Sequence, residues 1–306
     1  METRMTTGVF VGLITLDCIY QTRRSLQPNE KQVAEAMLLA AGGPATNAAI
    51  AFQALGGQAR LVGALGQHPL TTVVRDDLAQ QGVELVDLTP TATEPPPFSS
   101  IVVNVETGDR AVISRNAADR PMPRAPFPNT LLDQADCLLL DGHQMALGCH
   151  LAQLARPQQL PVVIDAGSWK PGFDQLLPFA TTVIASANFH PPGTGTAAAA
   201  IAYLRSLNVS QIAGTRGVEA LRYQTESSAG SQSGTGPVSA IKPMETLGAG
   251  DIFHGAFCYY ATQTADFVTA LHRSAAVATL ACQSWGTRRW IKQLPLATGP
   301  LDQSPQ

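Results

Sequence analysis

Short, almost unbroken apolar runs recur along this chain, each separated from the next by a segment of helical character. This alternation limits the fold more than any other feature. "GVFVGLITL", "GGPATNAAIAFQALGG", "ARLVGALG" and "LTTVVRDDLAQQGVE" follow one another, and the rhythm returns in "DCLLLDG", "CHLAQLARP", "LPVVIDAG" and "TTVIASAN". Strands apolar on both faces need cover on both faces, so the pattern predicts a parallel sheet with helices on either side. One region breaks the rhythm: residues 95–115, "PPPFSSIVVNVETGDRAVISR", hold two β-type runs joined by "ETGD" and read as an antiparallel hairpin. The segment "CIYQTRRSLQPNEKQVAEAMLL" after the first strand supplies possible further strands to the same accessory sheet. The Ser/Gly-rich "ESSAGSQSGTGPVSA" reads as a surface loop, and the end, "ATGPLDQSPQ", as frayed.

Composition narrows the class of partner. The 306 residues are 45% hydrophobic, enough for a substantial core, and the formal charge of -3 leaves no basic excess for nucleic acid. Five cysteines carry no C-x-x-C pair, and no apolar run reaches the ~18 residues that span a bilayer. The expectation is a reduced, cytoplasmic protein that acts on small molecules, with no membrane or nucleic-acid partner.

Chemistry concentrates in "METLGAGDIFHGAF", residues 244–257. Gly248, Ala249 and Gly250 lead into Asp251 and an apolar helical segment. A helix start carries unpaired N–H groups and partial positive charge, so small residues there let amides surround an anion. Asp251 either caps those amides or acts on a hydroxyl beside a bound phosphate.

"TLGAGDIFHGAF" closely resembles the C-terminal signature of the ribokinase-like (PfkB) sugar kinases, D-T-x-G-A-G-D, and "AGGPATNAAIAFQALG" resembles the family's G-G-x-x-x-N-x-A helix start. "VGALGQHPLTTVVRDDLAQQGVELVDL" and "TRGVEAL" are similar to further family segments, so the resemblance covers roughly residues 8–290. It implies a three-layer α/β/α ribokinase-like fold with a mostly parallel central sheet and a small β lid. The corresponding organisation is one kinase domain over residues 1–300, with lid segments at 14–40 and 95–118, and a tail at 301–306.

The same resemblance implies an ATP-dependent sugar kinase. Asp251 corresponds to the catalytic base, and the amides of Gly248, Ala249 and Gly250 to the anion hole. Asp17, at the end of the first predicted strand, with Gly42, Gly43 and Asn47, corresponds to the sugar site. Arg115 and Arg110, in or near the hairpin, are candidate cations for a phosphosugar. Thr215, Gly217, Asn188, Thr246, Gly248 and Gly250 correspond to nucleotide contacts, and "HRSAAVATLACQSWGTR" to the helix beside adenine. Lys170, which could meet a phosphate as a point charge, and His143, each after a predicted strand, are further candidates.

Two departures bear on metals. Glu245 replaces the first aspartate of the signature, which puts potassium in question, and Pro191 replaces the glutamate of the N-x-x-E motif that organises Mg2+. "VGLITLDCIY", "GGPATNAAIA" and the hairpin look closest to the ketohexokinase and sulfofructose-kinase branch, which implies a ketohexose phosphorylated at a primary hydroxyl. The alternatives are a nucleoside kinase of the same fold or a catalytically weak sugar-binding regulator. A Rossmann dehydrogenase, suggested by "GTGTAA" at 193–198, lacks the acidic residue about twenty positions on. Dimerisation through the lid is a further expectation.

Overall fold

Two sheets organise the chain in a computed structural model that describes residues 4–117, 127–217, 219–227, 230–236, 239, 241 and 243–294. In chain order the elements begin β1 (Thr7–Val11), β2 (Thr15–Thr22), β3 (Ala36–Gly42), α1 (Pro44–Ala54), β4 (Gln58–Gly63), α2 (Pro69–Gln80), β5 (Glu84–Asp87), β6 (Phe98–Asn104) and β7 (Arg110–Arg115). They continue with β8 (Cys137–Leu140), α3 (Met145–Ala155), β9 (Val162–Ala166), α4 (Phe173–Leu176), β10 (Thr182–Ser186), α5 (Ala197–Ser206) and β11 (Gln211–Thr215). β12 (Leu221–Ser227), β13 (Gly230–Gly236), α6 (Ala249–Gln263) and α7 (Phe267–Ala281) complete them.

The large sheet runs β13-β12-β11-β10-β9-β8-β1-β4-β5, parallel from β11 to β5 and antiparallel at the β12–β13 edge. Its central strands are buried end to end, as in Val162–Ala166 and Cys137–Leu140, because helices cover both faces. One core cluster centres on Phe10, Phe52, Leu61 and Phe257, and another on Val11, Leu138, Ile164 and Phe173. From β1 the chain moves outward to β4 and β5, then returns on the other side at β8. That reversal creates the crevice at the carboxyl ends of β1 and β8 where α/β sheets bind ligands.

The lid is the second sheet, ordered β3-β2-β6-β7. β6 and β7 form the expected hairpin around "ETGD", and β2 pairs with β3 on one side and, in parallel, with β6 on the other. The lid strands thus occupy 15–42 and 98–115, close to the expected segments; residue 118 and the 301–306 tail lie outside the described residues.

Two expectations are corrected here. "GVFVGLITL" is not one strand. After Val11 the N–H of Leu13 donates to the Asp141 carboxylate at 2.9 Å, which turns the chain out of the large sheet, and Asp17 falls inside lid strand β2. The Ser/Gly-rich stretch contains strand β13, not only a loop: an edge strand needs just one partner, and small side chains suffice on an exposed edge once β12 supplies the ladder bonds.

Candidate active site

Both signature segments begin helices at the crevice. α1 starts behind Gly43 with Pro44 at its first position, where the missing N–H costs nothing. Asp141, at the end of β8, accepts from the N–H of Ala45 at 3.3 Å and of His143 at 2.8 Å, tying the α1 start to the strand-end crevice. α6 starts behind Gly248, whose φ of 70° is left-handed, a conformation costing roughly 1–2 kcal/mol for a residue with a Cβ. No side chain caps α6.

The first helical bond of α6 runs from the N–H of Ile252 to the Gly248 carbonyl at 2.8 Å, which leaves the amides of Gly250 and Asp251 ahead of it without helical acceptors. The Ala249 amide differs from expectation. It donates back to the Thr246 carbonyl at 3.3 Å, because the tight turn brings that oxygen within reach.

Asp251 is the meeting point of the two helices. Its Oδ2 accepts from Asn47 Nδ2 at 2.9 Å, and Asn47 Oδ1 in turn accepts from Arg288 Nη1 at 3.1 Å. The second guanidinium nitrogen, Nη2, donates to the Ala41 carbonyl at 2.6 Å and to Asp77 at 3.2 Å. Arg288 fixes which way the Asn47 amide faces, so that its NH2 group points at Asp251. Burial lowers the Arg288 pKa, offset by the charges of Asp77 and Asp17.

Burial, reinforced by the nearby Asp165 charge, raises the Asp251 carboxyl to about 7, against the opposing Asn47 bond and His254 charge. A base near neutrality is poised to take and release a proton at physiological pH. Beneath it, His254 Nδ1 lies 2.6 Å from the Gly250 carbonyl, and Nε2 lies 3.3 Å from the Ile184 carbonyl and 3.6 Å from Asp165. The Gly250 carbonyl and the Asp251 N–H share one peptide, so the ring that holds the former aims the latter.

Asp17 faces the same crevice from the lid. Thr15 donates to its Oδ1 at 2.7 Å; burial raises its pKa, while Thr15, Ser99 and the Arg288 charge oppose the rise. A Cβ at Gly42 would fall 1.9 Å from Asp17 Oδ2, so only glycine lets the carboxylate sit there.

The pfkB family carbohydrate kinase profile matches residues 5–293, nearly the whole chain. The chain belongs to this family of sugar kinases. A ribokinase of Bacillus subtilis (strain 168) is 22% identical over 287 residues, covering 91% of this chain and 93% of its own length. Among solved structures, a putative ribokinase from Agrobacterium tumefaciens superposes with a TM-score of 0.80 at 23% identity, covering 96% of this chain and 99% of its own. Arabidopsis thaliana ribokinase complexed with ribose and ATP gives 0.77 at 20%, covering 97% and 100%.

Beside the α6 start, this pfkB-family kinase has a cavity of about 530 Å³, within the range of small-molecule sites. Thr215, Gly217, Asn188, Thr246, Ala249 and Gly250 line it, and so do Ala275, Ala278 and Thr279 of α7 and Cys282 just after it. The nucleotide-side candidates therefore converge, except Gly248, which precedes the lining residues Ala249 and Gly250, and Lys170. Its Nζ lies 5.4 Å from the Phe173 ring centroid, away from the cavity lining.

Arg115 also departs from expectation. It lies opposite Phe98, which lies opposite Leu16, whereas Asp17, Ser99 and Ser114 form the adjacent row. Side chains alternate along a strand, so Arg115 points from the other face of the lid.

The metal positions differ from the family pattern. Pro191 closes a turn, its carbonyl accepting from the N–H of Thr194 at 3.0 Å, and offers no carboxylate. Among the described residues, no cluster of three or more His, Cys, Asp or Glu side chains is arranged to hold a metal. Glu245 Oε2 accepts from the N–H of Gly286 at 2.7 Å, while its Oε1 is buried without a partner. Burial raises this carboxyl, offset by the Gly286 bond and the Arg110 charge.

Arg288, Asp77, Asp141, Asp165 and His254 escaped the reading of the sequence. The only local cue for Arg288 was a basic pair after the glycine turn in "SWGTRRW".

Proposed function

We propose that the kinase transfers the γ-phosphoryl group of ATP to a primary hydroxyl of a ketohexose or related sugar. The observation that carries this reading is the position of Asp251, bonded to Asn47 at 2.9 Å on the helix start whose Ala249 and Gly250 line the 530 Å³ cavity. In the reaction, the sugar oxygen bonds to the γ-phosphorus and its proton passes to the Asp251 carboxylate. The bond from that phosphorus to the β,γ-bridging oxygen breaks, its electron pair leaving with ADP. The amides of Gly250 and Asp251 face the charge on the moving group.

Asp17 and Asn47 are suited to orient sugar hydroxyls, the first as acceptor and the second as both donor and acceptor. Magnesium that travels with a nucleotide neutralises phosphate charge, but the described residues supply no ligand cluster, so no step passes through a protein-held ion. The orphaned Glu245 Oε1 fits a monovalent cation.

The ketohexose assignment rests on the lid hairpin and the strand around Asp17, whereas the matched relatives carry ribokinase names, which makes ribose the competing acceptor. A coupled ADP-release screen over fructose, other ketoses, ribose, aldoses and adenosine decides between them. Turnover with ribose or adenosine and none with any ketose rejects the assignment; sugar binding without ADP release favours a regulator.

Met37, Leu39 and Ile113 are exposed on the lid face away from Asp17, which supports a homodimer formed through the lid. Light scattering on the wild type and on Ile113→Lys tests it. Five unpaired cysteines fit a reducing, cytoplasmic setting, and no helix among the described residues is long and apolar enough to cross a membrane.

A further inference from the structure

α2 carries a carboxylate where its packing calls for an apolar residue. Thr71, Val74 and Leu78 form the buried stripe of this helix, and Asp77 stands on the same stripe, three positions after Val74. It is paired at 3.2 Å with Arg288, 211 positions away, and the two side chains are only 16% and 14% exposed. Burying both charges costs desolvation that a pair offsets only when its remaining polar groups are met, and Arg288 Nε is buried without a partner. Apolar side chains would hold this place at least as well, so the use of the charges lies in what they touch.

What they touch is the sugar side of the crevice. Asp77 Oδ2 accepts from the N–H of Ala41 at 2.8 Å, and the carbonyl of the same residue accepts from Arg288 Nη2 at 2.6 Å. Ala41 lies near the end of β3, an edge strand of the lid with β2 as its only strand neighbour, and the next residue is Gly42, which makes room for Asp17. From Nη1, Arg288 reaches Asn47 Oδ1 at 3.1 Å and Thr287 Oγ1 at 2.9 Å. One ion pair therefore holds both the peptide that leads into Gly42 and the amide that faces Asp251.

We propose that Asp77 is a positioning residue for phosphoryl transfer, with Arg288 as the arm through which it acts. The inference rests on the kinase reading and adds a residue to it; Asp77 itself touches neither substrate. The guanidinium is planar and its nitrogens point in fixed directions, so holding one side of it with a carboxylate also fixes the side that meets Asn47. A small displacement of Gly42 or Asn47 misaims the sugar, and transfer requires the sugar oxygen in line with the γ-phosphorus. Asp77, Arg288, Asn47 and Ala41 are all absent from the lining of the 530 Å³ cavity, so the effect falls on the sugar and not on the nucleotide.

The test is a double-mutant cycle of Asp77→Asn, Arg288→Met and the two combined, read by steady-state kinetics with fructose or ribose, whichever releases ADP from the wild type, and by Tm. Each variant loses about tenfold or more in kcat/KM for the sugar, with a raised sugar KM, while KM for ATP stays within a factor of about two. The combined variant loses no more than Arg288→Met alone, because residues that act as a unit are not additive. It also melts within a few degrees of wild type, since it leaves no unpaired buried charge; where a single variant does not fold, the combined one carries the test. Asp77→Glu, which keeps the charge, recovers part of the loss. Near-normal sugar kcat/KM in the combined variant, losses that multiply, a loss shared equally by the KM for ATP, or a combined variant that does not fold each overturns the role of Asp77 and leaves the kinase reading intact. A wild-type chain that releases ADP with neither sugar nor any other acceptor of the screen rejects the kinase reading itself, and this inference with it.

Discussion

Asn47 and Asp251, 204 residues apart, are joined by one hydrogen bond of 2.9 Å that links the start of α1 to the start of α6. Each segment alone has an ordinary explanation as a helix start. Together, with Arg288 holding the far side of the Asn47 amide, they fix a carboxylate next to open backbone amides at the mouth of a cavity.

The Asp251 carboxyl, raised to about 7 by burial and Asp165, sets the pH response. The base must be ionised to accept the hydroxyl proton, so kcat/KM rises with pH on a limb centred near 7 and levels off above it. A pH–rate profile over pH 5–9 checks this; a flat profile across that range contradicts the assignment.

Asn47→Ala removes a bond that favours the ionised form of Asp251. Its loss moves the acidic limb to higher pH, in addition to weakening sugar binding. The measurement is the midpoint of the limb in wild type and variant, and a midpoint moving to lower pH contradicts the account.

The same elevation has a cost in stability. Because the folded-state pKa of Asp251 lies above the unfolded value, its contribution is fully present at pH below about 4 and is lost as pH rises toward 7. Asp251→Asn escapes that loss, so its Tm gain over wild type grows between pH 5 and pH 8, as scanning calorimetry at both values reads. A gain that shrinks with pH refutes the direction of the shift.

Gly42→Ala forces a methyl into the space held by Asp17 Oδ2, 1.9 Å from the new Cβ. With the carboxylate displaced, the KM for sugar rises about tenfold or more while the KM for ATP stays within a factor of about two. Steady-state kinetics with each substrate varied in turn separate these outcomes.

Much of this was legible in the chain because its signals are local. Apolar runs marked the buried parallel strands, "ETGD" marked the lid hairpin, and the Gly-Ala-Gly-Asp run marked the α6 start. What escaped was long-range. That Gly12–Ile14 leaves the sheet depends on Asp141, 128 positions beyond the Leu13 amide that it accepts from. That Arg110 and not Arg115 shares the inner face of the lid with Asp17 depends on pairing register, which a one-residue slip would invert. His254 reaches the Ile184 carbonyl of β10, and Arg288 the Ala41 carbonyl and the Asn47 amide, and nothing adjacent in sequence announces such partners.

The central claim is that Asp251 takes the proton while backbone amides hold the phosphoryl charge. Single-turnover phosphoryl transfer by Asp251→Asn, alongside calorimetric sugar binding, measures it most directly. The account predicts a rate lower by on the order of 10²- to 10⁴-fold with sugar affinity within a few-fold of wild type. Transfer at a near-normal rate in that variant would contradict it.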